Sequence, residues 1–248
     1  MSLQYQTEQP TEEESPSEGP VNIERYRSPV PVYTFVLIGS ILCVFAVQFA
    51  GGLDGSIIAA GFVKPAFLHR HEYWRILTGA TTHASLIHVG MNCYAFYSFG
   101  KIFEMLANRA HLAMVFLLSA IGGGVLSLLF APFAVSVGAS GGIVGLIGYL
   151  LIYAFRRRQF ISPAFRKNLL INIGFILLYG LALYQIIDNY GHIGGLVTGA
   201  AYAFVQVPSD PYVDPRDAGT AIQALGLLAL GVYVAGCIVS ILLILHLV

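Results

Sequence analysis

Residues 135–155 read VSVGASGGIVGLIGYLLIYAF, a stretch without a single charged side chain. An apolar run of about 20 residues is long enough to cross a bilayer as a helix. Ser140 stands among glycines in this run. Small residues allow membrane helices to pack closely, and a buried serine can bond its own backbone one turn back. The alternative is that Ser140 is a nucleophile, and polar residues elsewhere in the chain decide between these interpretations.

The composition is that of an integral membrane protein. Of the 248 residues, 56% are hydrophobic and only 10% are charged, and the mean hydropathy is +0.73. Soluble domains carry about 25% charged residues. The net charge is zero and no basic run is interleaved with aromatic residues. We therefore expect the lipid bilayer as surroundings and no nucleic acid as partner.

The apolar segments predict an all-α polytopic membrane protein. Residues 1–30 are acidic and proline-bearing, which predicts a disordered cytosolic tail. This tail has neither the basic start and apolar core of a signal peptide nor the composition of a transit peptide. The predicted spans cover 32–50, 80–101, 110–130, 138–155, 168–187, 190–207 and 220–247. The first six form a predicted core over 31–207, followed by a linker over 208–219 and a seventh transmembrane helix over 220–248.

Basic residues set the expected orientation. With the N-terminus in the cytosol, ten of the 13 Lys and Arg residues fall in cytosolic segments and three in outer segments. This distribution follows the positive-inside rule. The second, fourth and sixth spans then run inward from the outer face. His83, Ser140 and His192 lie near the starts of these spans, so we expect all three close to the outer surface.

Histidine and serine in this arrangement indicate nucleophilic catalysis. Gly195 and Gly199 lie on the same helix face as His192, and a glycine stripe allows close helix approach. If this stripe meets the glycines after Ser140, His192 can accept the serine proton and activate the hydroxyl.

His88 and Asn92, four residues apart, share a face that can donate hydrogen bonds to an oxyanion. A polar packing network in a transporter-like bundle is the alternative. A metal site of His83, His88 and His192 is disfavoured because no carboxylate lies among them.

Together these motifs resemble those of the rhomboid intramembrane serine proteases, over roughly residues 32–207. The shared pieces are Trp74-Arg75, the spacing of His83, His88 and Asn92, the GASG around Ser140, and His192 followed by Gly195 and Gly199. The resemblance implies a six-helix rhomboid core plus one extra C-terminal transmembrane helix. It also implies hydrolysis of transmembrane protein substrates near the outer membrane face, with no cofactor and no metal.

The resemblance also implies residue roles. Ser140 is the expected nucleophile and His192 its base, and Asn92, His88 and the backbone N–H of Ser140 form the expected oxyanion hole. The expected supporting residues are His83, Gly138, Gly141, Val144, Gly195, Gly199, Trp74, Arg75 and Glu104. Val144 should lie against the His192 ring, and Glu104 should tie the second span to its neighbours. Asp188, one turn before His192, is expected to cap a helix rather than complete a triad.

Two other functions remain open. A catalytically silent rhomboid-like protein would bind transmembrane helices, and its usual mark is loss of the serine or histidine, both of which are present here. A small-solute transporter would place its polar residues near the middle of the bilayer and show internal repeats. The absence of an import signal favours a bacterial plasma membrane as the location of this multi-pass protein.

Overall fold

A computed structural model describes residues 30–210 and 213–247, so nearly all of the acidic tail predicted over 1–30 lies outside the described residues. The elements in chain order are α1 (Val32–Gly51), α2 (Leu53–Ala60), β1 (Phe62–Val63), α3 (Lys64–His69), α4 (Arg75–Thr78), α5 (Leu86–Leu106), α6 (Arg109–Phe130), β2 (Val135–Ser136), α7 (Ser140–Arg156), α8 (Pro163–Ala182), α9 (Asn189–Gln206) and α10 (Thr220–Ile244). The expected all-helical character is confirmed. Within the described residues the one sheet is the short antiparallel pair of β1 and β2.

Several helices have the length and composition of membrane spans. The helices α1, α6, α8 and α10 are each long and apolar enough to cross a bilayer, and α7 is a shorter apolar helix. The helices α5 and α9 carry the polar residues His88, Asn92 and His192. The protein is therefore an integral membrane protein built from apolar helices.

Helix caps shift two boundaries away from the predicted ones. The helix α5 begins at Leu86 rather than near residue 80, because the Ser85 hydroxyl caps it by accepting from the backbone N–H of His88. The helix α8 begins at Pro163 rather than 168, because Ser162 caps it and proline is tolerated in a first turn. Hydropathy does not register these caps, since the capping residues are polar.

Glycines bring α7 and α9 together at backbone distance. A Cβ added to Gly195 would lie 2.0 Å from the carbonyl oxygen of Gly141, and one added to Gly199 would lie 1.9 Å from that of Gly145. Real side-chain atoms do not approach a carbonyl oxygen so closely. The two predicted glycine stripes thus face each other at the centre of the bundle.

The last helix, α10, packs beside α6 and contacts the segment before α5. A Cβ on Gly226 would lie 2.3 Å from the Cα of Ala110 in α6. The Tyr233 hydroxyl donates to the carbonyl of Ala80 at 3.0 Å, and the hydroxyls of Ser240 and Thr81 lie 2.7 Å apart. Hydrogen bonds therefore attach α10 to the segment that precedes α5.

A buried carboxylate joins α5 to α1. Oε1 of Glu104 accepts hydrogen bonds from the backbone N–H of Thr34 at 2.8 Å and from its hydroxyl at 2.7 Å. Both residues are buried. Gly100, one turn before Glu104, lets Thr34 approach, since a Cβ there would lie 2.6 Å from the Thr34 hydroxyl oxygen.

We expect Thr34→Val to lower the stability of the protein. Valine has a similar shape but lacks the hydroxyl, so one of two hydrogen bonds to a charged partner is lost, at a cost of about 1.5–3 kcal/mol. The measurement is the melting temperature in detergent. Ser40→Ala is the control, because that hydroxyl bonds only the carbonyl of Val36 in its own helix. Equal melting of Thr34→Val and the wild type would contradict this account of Glu104.

Candidate active site

Ser140 and His192 meet where α7 and α9 begin. Ser140 is the first residue of α7 and His192 the fourth of α9. The distance between Oγ of Ser140 and Nε2 of His192 is 2.9 Å. When the imidazole proton is on Nδ1, the serine hydroxyl donates to Nε2, which is the geometry of a nucleophile beside its base.

The position of His192 depends on the close approach of α9 to its neighbours. Beyond the contact of Gly195 with Gly141, a Cβ on Gly123 in α6 would lie 2.5 Å from the carbonyl oxygen of Gly191. The helix carrying His192 is therefore pressed against both α6 and α7 by backbone contact. A side chain at Gly195 or Gly123 would push α9 away from its neighbours and so displace the imidazole from Ser140.

Asp188 caps α9 and does not contact the imidazole as a third catalytic group. Its Oδ1 accepts from the backbone N–H of Gly191 at 2.9 Å, while its Oδ2 accepts from the hydroxyls of Ser127 and Ser136, each at 2.5 Å. Nδ1 of His192 has no hydrogen-bond partner among the described residues. The geometry is that of a candidate Ser–His dyad whose histidine helix is capped by Asp188.

His83 supports the backbone ahead of Ser140. Its ring is fully buried, and Nε2 accepts from the backbone N–H of Ala139 at 3.5 Å. Gln48 holds the histidine backbone through two bonds: it accepts from the N–H of His83 at 2.9 Å and donates to its carbonyl at 3.3 Å. Ring centroids of His83 and His88 lie 5.0 Å apart.

Gly138 makes room for His88 beside the serine. Its φ of +119° is in the region that favours glycine. A Cβ at this position would lie 2.8 Å from Nε2 of His88 and 3.8 Å from the hydroxyl oxygen of Ser140. The His88 ring and the Ser140 hydroxyl thus both lie close to Gly138.

The Asn92 amide lies on the same face of α5 as His88. Its Nδ2 donates to the carbonyl of His88 at 2.9 Å, which uses one of its two N–H groups. Its Oδ1 is buried without a hydrogen-bond partner in the described part of the chain. Because this hydrogen bond holds one N–H of the amide, the direction of the second N–H is fixed, and it remains free to donate.

The two residues of the predicted Trp-Arg motif have different environments. Arg75 is buried at 5% exposure, pairs with Glu72, and donates to the carbonyls of Gly61 at 2.8 Å and Ile58 at 3.1 Å. Trp74 is 46% exposed. Arg75 therefore organises the loop between α1 and α5 from inside, and the indole of Trp74 lies on its surface.

A small cavity lies beside the dyad. Its volume is about 50 Å³, and its lining includes Ser140, His192, Gly79 and Gly138. A water molecule needs about 10–15 Å³ of such volume, so the cavity has room for more than one.

Val144, one turn after Ser140, is buried. No group of three metal-ligating side chains arranged for a metal ion occurs in residues 30–210 and 213–247.

The sequence interpretation missed four polar residues of this region: Gln48, Lys64, Ser127 and Ser136. Gln48 was detectable, because it is an amide within a predicted membrane span and such residues need a partner in a membrane. The other three carry no comparable signal. Ser127 is a serine in an apolar helix. The roles of Lys64 and Ser136 depend on the pairing of β1 with β2, and strands of two residues are too short to be recognised by pattern.

Comparison with known proteins agrees with this geometry. The model of the Rhomboid domain matches residues 70–209, which is more than half of the chain and includes all four candidate catalytic and oxyanion residues. The chain belongs to the rhomboid family. The sequence resemblance is thereby confirmed, and the cluster at Ser140 is the candidate active site of a rhomboid.

Three curated relatives are similar to this chain over part of their length. The rhomboid protease GluP of Bacillus subtilis is 32% identical over 68% of this chain and 34% of its own length. RHOMBOID-like protein 6, mitochondrial, of Arabidopsis thaliana is 34% identical over 54% of this chain and 44% of its own. Inactive rhomboid protein 1 of Rattus norvegicus is 26% identical over 55% of this chain and 16% of its own. This rhomboid thus spans less than half the length of these three relatives.

Proposed function

We propose that this rhomboid is an intramembrane serine protease that hydrolyses transmembrane helices near their outer ends. The observation that carries the proposal is the 2.9 Å separation of Ser140 Oγ and His192 Nε2. Named relatives include a rhomboid protease and an inactive rhomboid protein. Serine and histidine at hydrogen-bonding distance support the protease over a silent binder.

The proposed reaction is acyl transfer to water. Oγ of Ser140 attacks the substrate carbonyl carbon while Nε2 of His192 takes the hydroxyl proton. The tetrahedral oxyanion is stabilised by Asn92, His88 and the backbone N–H of Ser140. His192 returns the proton to the leaving amine as the C–N bond breaks. Water, deprotonated by His192, then attacks the acyl-enzyme; as the ester C–O bond breaks, His192 returns the proton to Oγ of Ser140, and the acid product is released.

The arrangement of α7 supports a site near the outer membrane face. Ser140 begins this helix and Arg156 ends it, so about 24 Å separates the two ends at 1.5 Å per residue. Arg156 to Arg158 belong to the basic, cytosolic side by the positive-inside rule. We propose that the N-terminus is cytosolic, that seven helices cross the membrane as six plus one, and that a bacterial plasma membrane contains them.

The location of the polar cluster also argues against a transporter. A transporter site is expected near the bilayer midplane, whereas Ser140 and His192 lie in the first turns of their helices. The cavity beside them supplies space for the hydrolytic water. A substrate helix must unwind locally to present its carbonyl, so helix-weakening residues in the substrate should favour cleavage.

The direct test is cleavage in proteoliposomes. Purified protein is mixed with a reporter that has a single transmembrane helix, and mass spectrometry locates the cut. We expect cleavage near the outer end of the reporter helix, unchanged by EDTA. Cleavage at the cytosolic end, or inhibition by the chelator, would contradict the proposed orientation or the metal-free mechanism, respectively.

We expect Asn92→Ala to lower kcat about 10²–10³-fold, because loss of one oxyanion donor typically costs that much. Activity should persist, since His88 and a backbone N–H remain. Asn172→Ala is the matched control. The Asn172 amide donates to the carbonyl of Asn168, four residues earlier in α8, just as Asn92 donates to that of His88, but Asn172 is exposed. Equal kcat values for both variants would show that Asn92 only packs.

A further inference from the structure

A chain of polar groups runs from a buried lysine to the helix that carries His192. Nζ of Lys64 donates to the hydroxyl oxygen of Ser136 at 2.9 Å. The Ser136 hydroxyl donates to Oδ2 of Asp188 at 2.5 Å. Oδ1 of Asp188 accepts from the backbone N–H of Gly191, the residue before His192. Four hydrogen-bonding groups thus link the loop between α1 and α5 to α9.

Lys64 is an unusual member of this chain because its side chain has no solvent exposure. Lysines are almost never fully buried without a partner. Burial lowers the pKa of Lys64, and the negative charge of Asp188 acts in the opposite direction. The two charges make no direct ion pair. The hydroxyl of Ser136 bridges them: it accepts from the ammonium of Lys64 and donates to the carboxylate of Asp188.

The pairing of β1 with β2 places the lysine. Phe62 lies opposite Ser136 and Val63 opposite Val135, and Lys64 follows immediately as the first residue of α3. The same strand β2 leads through Gly138 into Ser140. One short sheet therefore brings the lysine-bearing loop beside both the serine helix and the cap of the histidine helix.

Asp188 transmits this link to the imidazole. Its Oδ1 fixes the N–H of Gly191, and its own carbonyl accepts from the N–H of His192 at 3.1 Å. A second hydroxyl, from Ser127 of α6, donates to Oδ2 at 2.5 Å. The carboxylate is thereby held at both oxygens, and its direction determines how the first turn of α9 presents His192 to Ser140.

We propose that Lys64 is a positioning residue for His192 and acts through Ser136 and Asp188. This inference rests on the proposed function insofar as His192 is the catalytic base. Lys64 does not touch the reacting atoms. It supplies the buried positive charge that keeps the Asp188 carboxylate in place, so that the loop between α1 and α5 sets the alignment of the dyad.

The first test separates kcat from KM. Lys64→Met replaces the lysine with an unbranched side chain that is one atom shorter and carries no charge. We expect kcat to fall about 10- to 100-fold, since misplacement by about 1 Å can cost 10²-fold, with KM within twofold of the wild type. Lys101→Met, a replacement of an exposed lysine in α5, is the control and should leave both constants unchanged.

The second test uses two residues of equal shape at position 136. Ser136→Thr keeps the bridging hydroxyl and Ser136→Val removes it. We expect the threonine variant to retain most of kcat and the valine variant to lose as much as Lys64→Met. If Lys64→Met does not fold, the two Ser136 variants still test whether the link through this hydroxyl aligns His192. Equal kcat for threonine and valine would overturn the proposal.

A double replacement tests whether the charges act together. Lys64→Met alone leaves Asp188 without its buried cation, and leaving one charge of a buried pair uncompensated is more damaging than removing both. We therefore expect Lys64→Met with Asp188→Asn to have a higher kcat than Lys64→Met alone. If the fold-loss of kcat in the double variant equals the product of the losses in the two single variants, the residues act independently, against the proposal.

A spectroscopic measurement decides the inference even if the proposed function fails. In protein labelled with ¹⁵N-histidine, the imidazole resonances of His192 are identified by their loss in His192→Ala. We expect Lys64→Met and Ser136→Val to move them, and Lys101→Met and Ser136→Thr to leave them in place. A wild type inert towards the reporter would refute only the protease function. Unmoved resonances in Lys64→Met and Ser136→Val would overturn the positioning role.

Discussion

Ser140→Ala is expected to abolish cleavage of a transmembrane reporter, with a loss of kcat on the order of 10⁶-fold. Without the hydroxyl no acyl-enzyme can form, and the base at 2.9 Å has no proton to accept. The fold should survive, because Ser140 begins α7 and no other helix contact depends on its hydroxyl. Product formation in proteoliposomes and melting in detergent measure the two effects separately.

His192→Ala should cause a loss of the same size, and the double variant should be no worse than either single one. Members of a catalytic unit do not contribute additively, since neither acts alone. Ser98→Ala is the control, because that hydroxyl bonds only the carbonyl of Tyr94 in its own helix. Cleavage that persists in both single variants, at the wild-type position, would contradict the dyad.

Gly199→Leu is expected to damage stability and activity together. A Cβ at Gly199 would lie 1.9 Å from the carbonyl oxygen of Gly145 and 2.7 Å from its Cα. Backbone atoms cannot move aside as a flexible side chain can, so α9 must shift away from α7. Overpacking costs about 1–3 kcal/mol and occasionally more, and a shift of about 1 Å at the imidazole costs about 10²-fold in rate.

Gly231→Leu is the matched control for this prediction. Gly231 lies in the middle of the apolar helix α10, and nothing lies within 4 Å of a Cβ at that position. The same side chain is thus added to a membrane helix without a backbone contact. Melting and kcat should match the wild type for Gly231→Leu and fall for Gly199→Leu. Wild-type behaviour of Gly199→Leu would refute the glycine contact as the element that aligns the dyad.

The candidate dyad was predictable from sequence because membrane topology restricts where residues can lie. The predicted alternation of spans puts His83, Ser140 and His192 at one depth, and glycines spaced by four mark the sides of α7 and α9 that face each other. From these two features the sequence indicated that Ser140 and His192 could meet, and the resemblance to rhomboid proteases supplied their expected roles.

The supporting contacts were less predictable because they depend on irregular segments. Gln48 reaches the backbone of His83 from a helix 35 residues earlier in the chain. Lys64 reaches Ser136 only through a sheet of two-residue strands. The attachment of α10 through Tyr233 to Ala80 likewise follows from tertiary packing. Helix periodicity and hydropathy encode none of these three contacts.

The most direct measurement of the central claim is covalent labelling by a fluorophosphonate. Such a probe reacts with a serine only when a neighbouring base activates the hydroxyl, so it reports the dyad without any substrate. Mass spectrometry of the labelled wild type should locate the phosphonyl group on Ser140, and His192→Ala should remain unlabelled. A wild type that is folded but unlabelled, or label on Ser140 at the same rate in His192→Ala, would contradict the account.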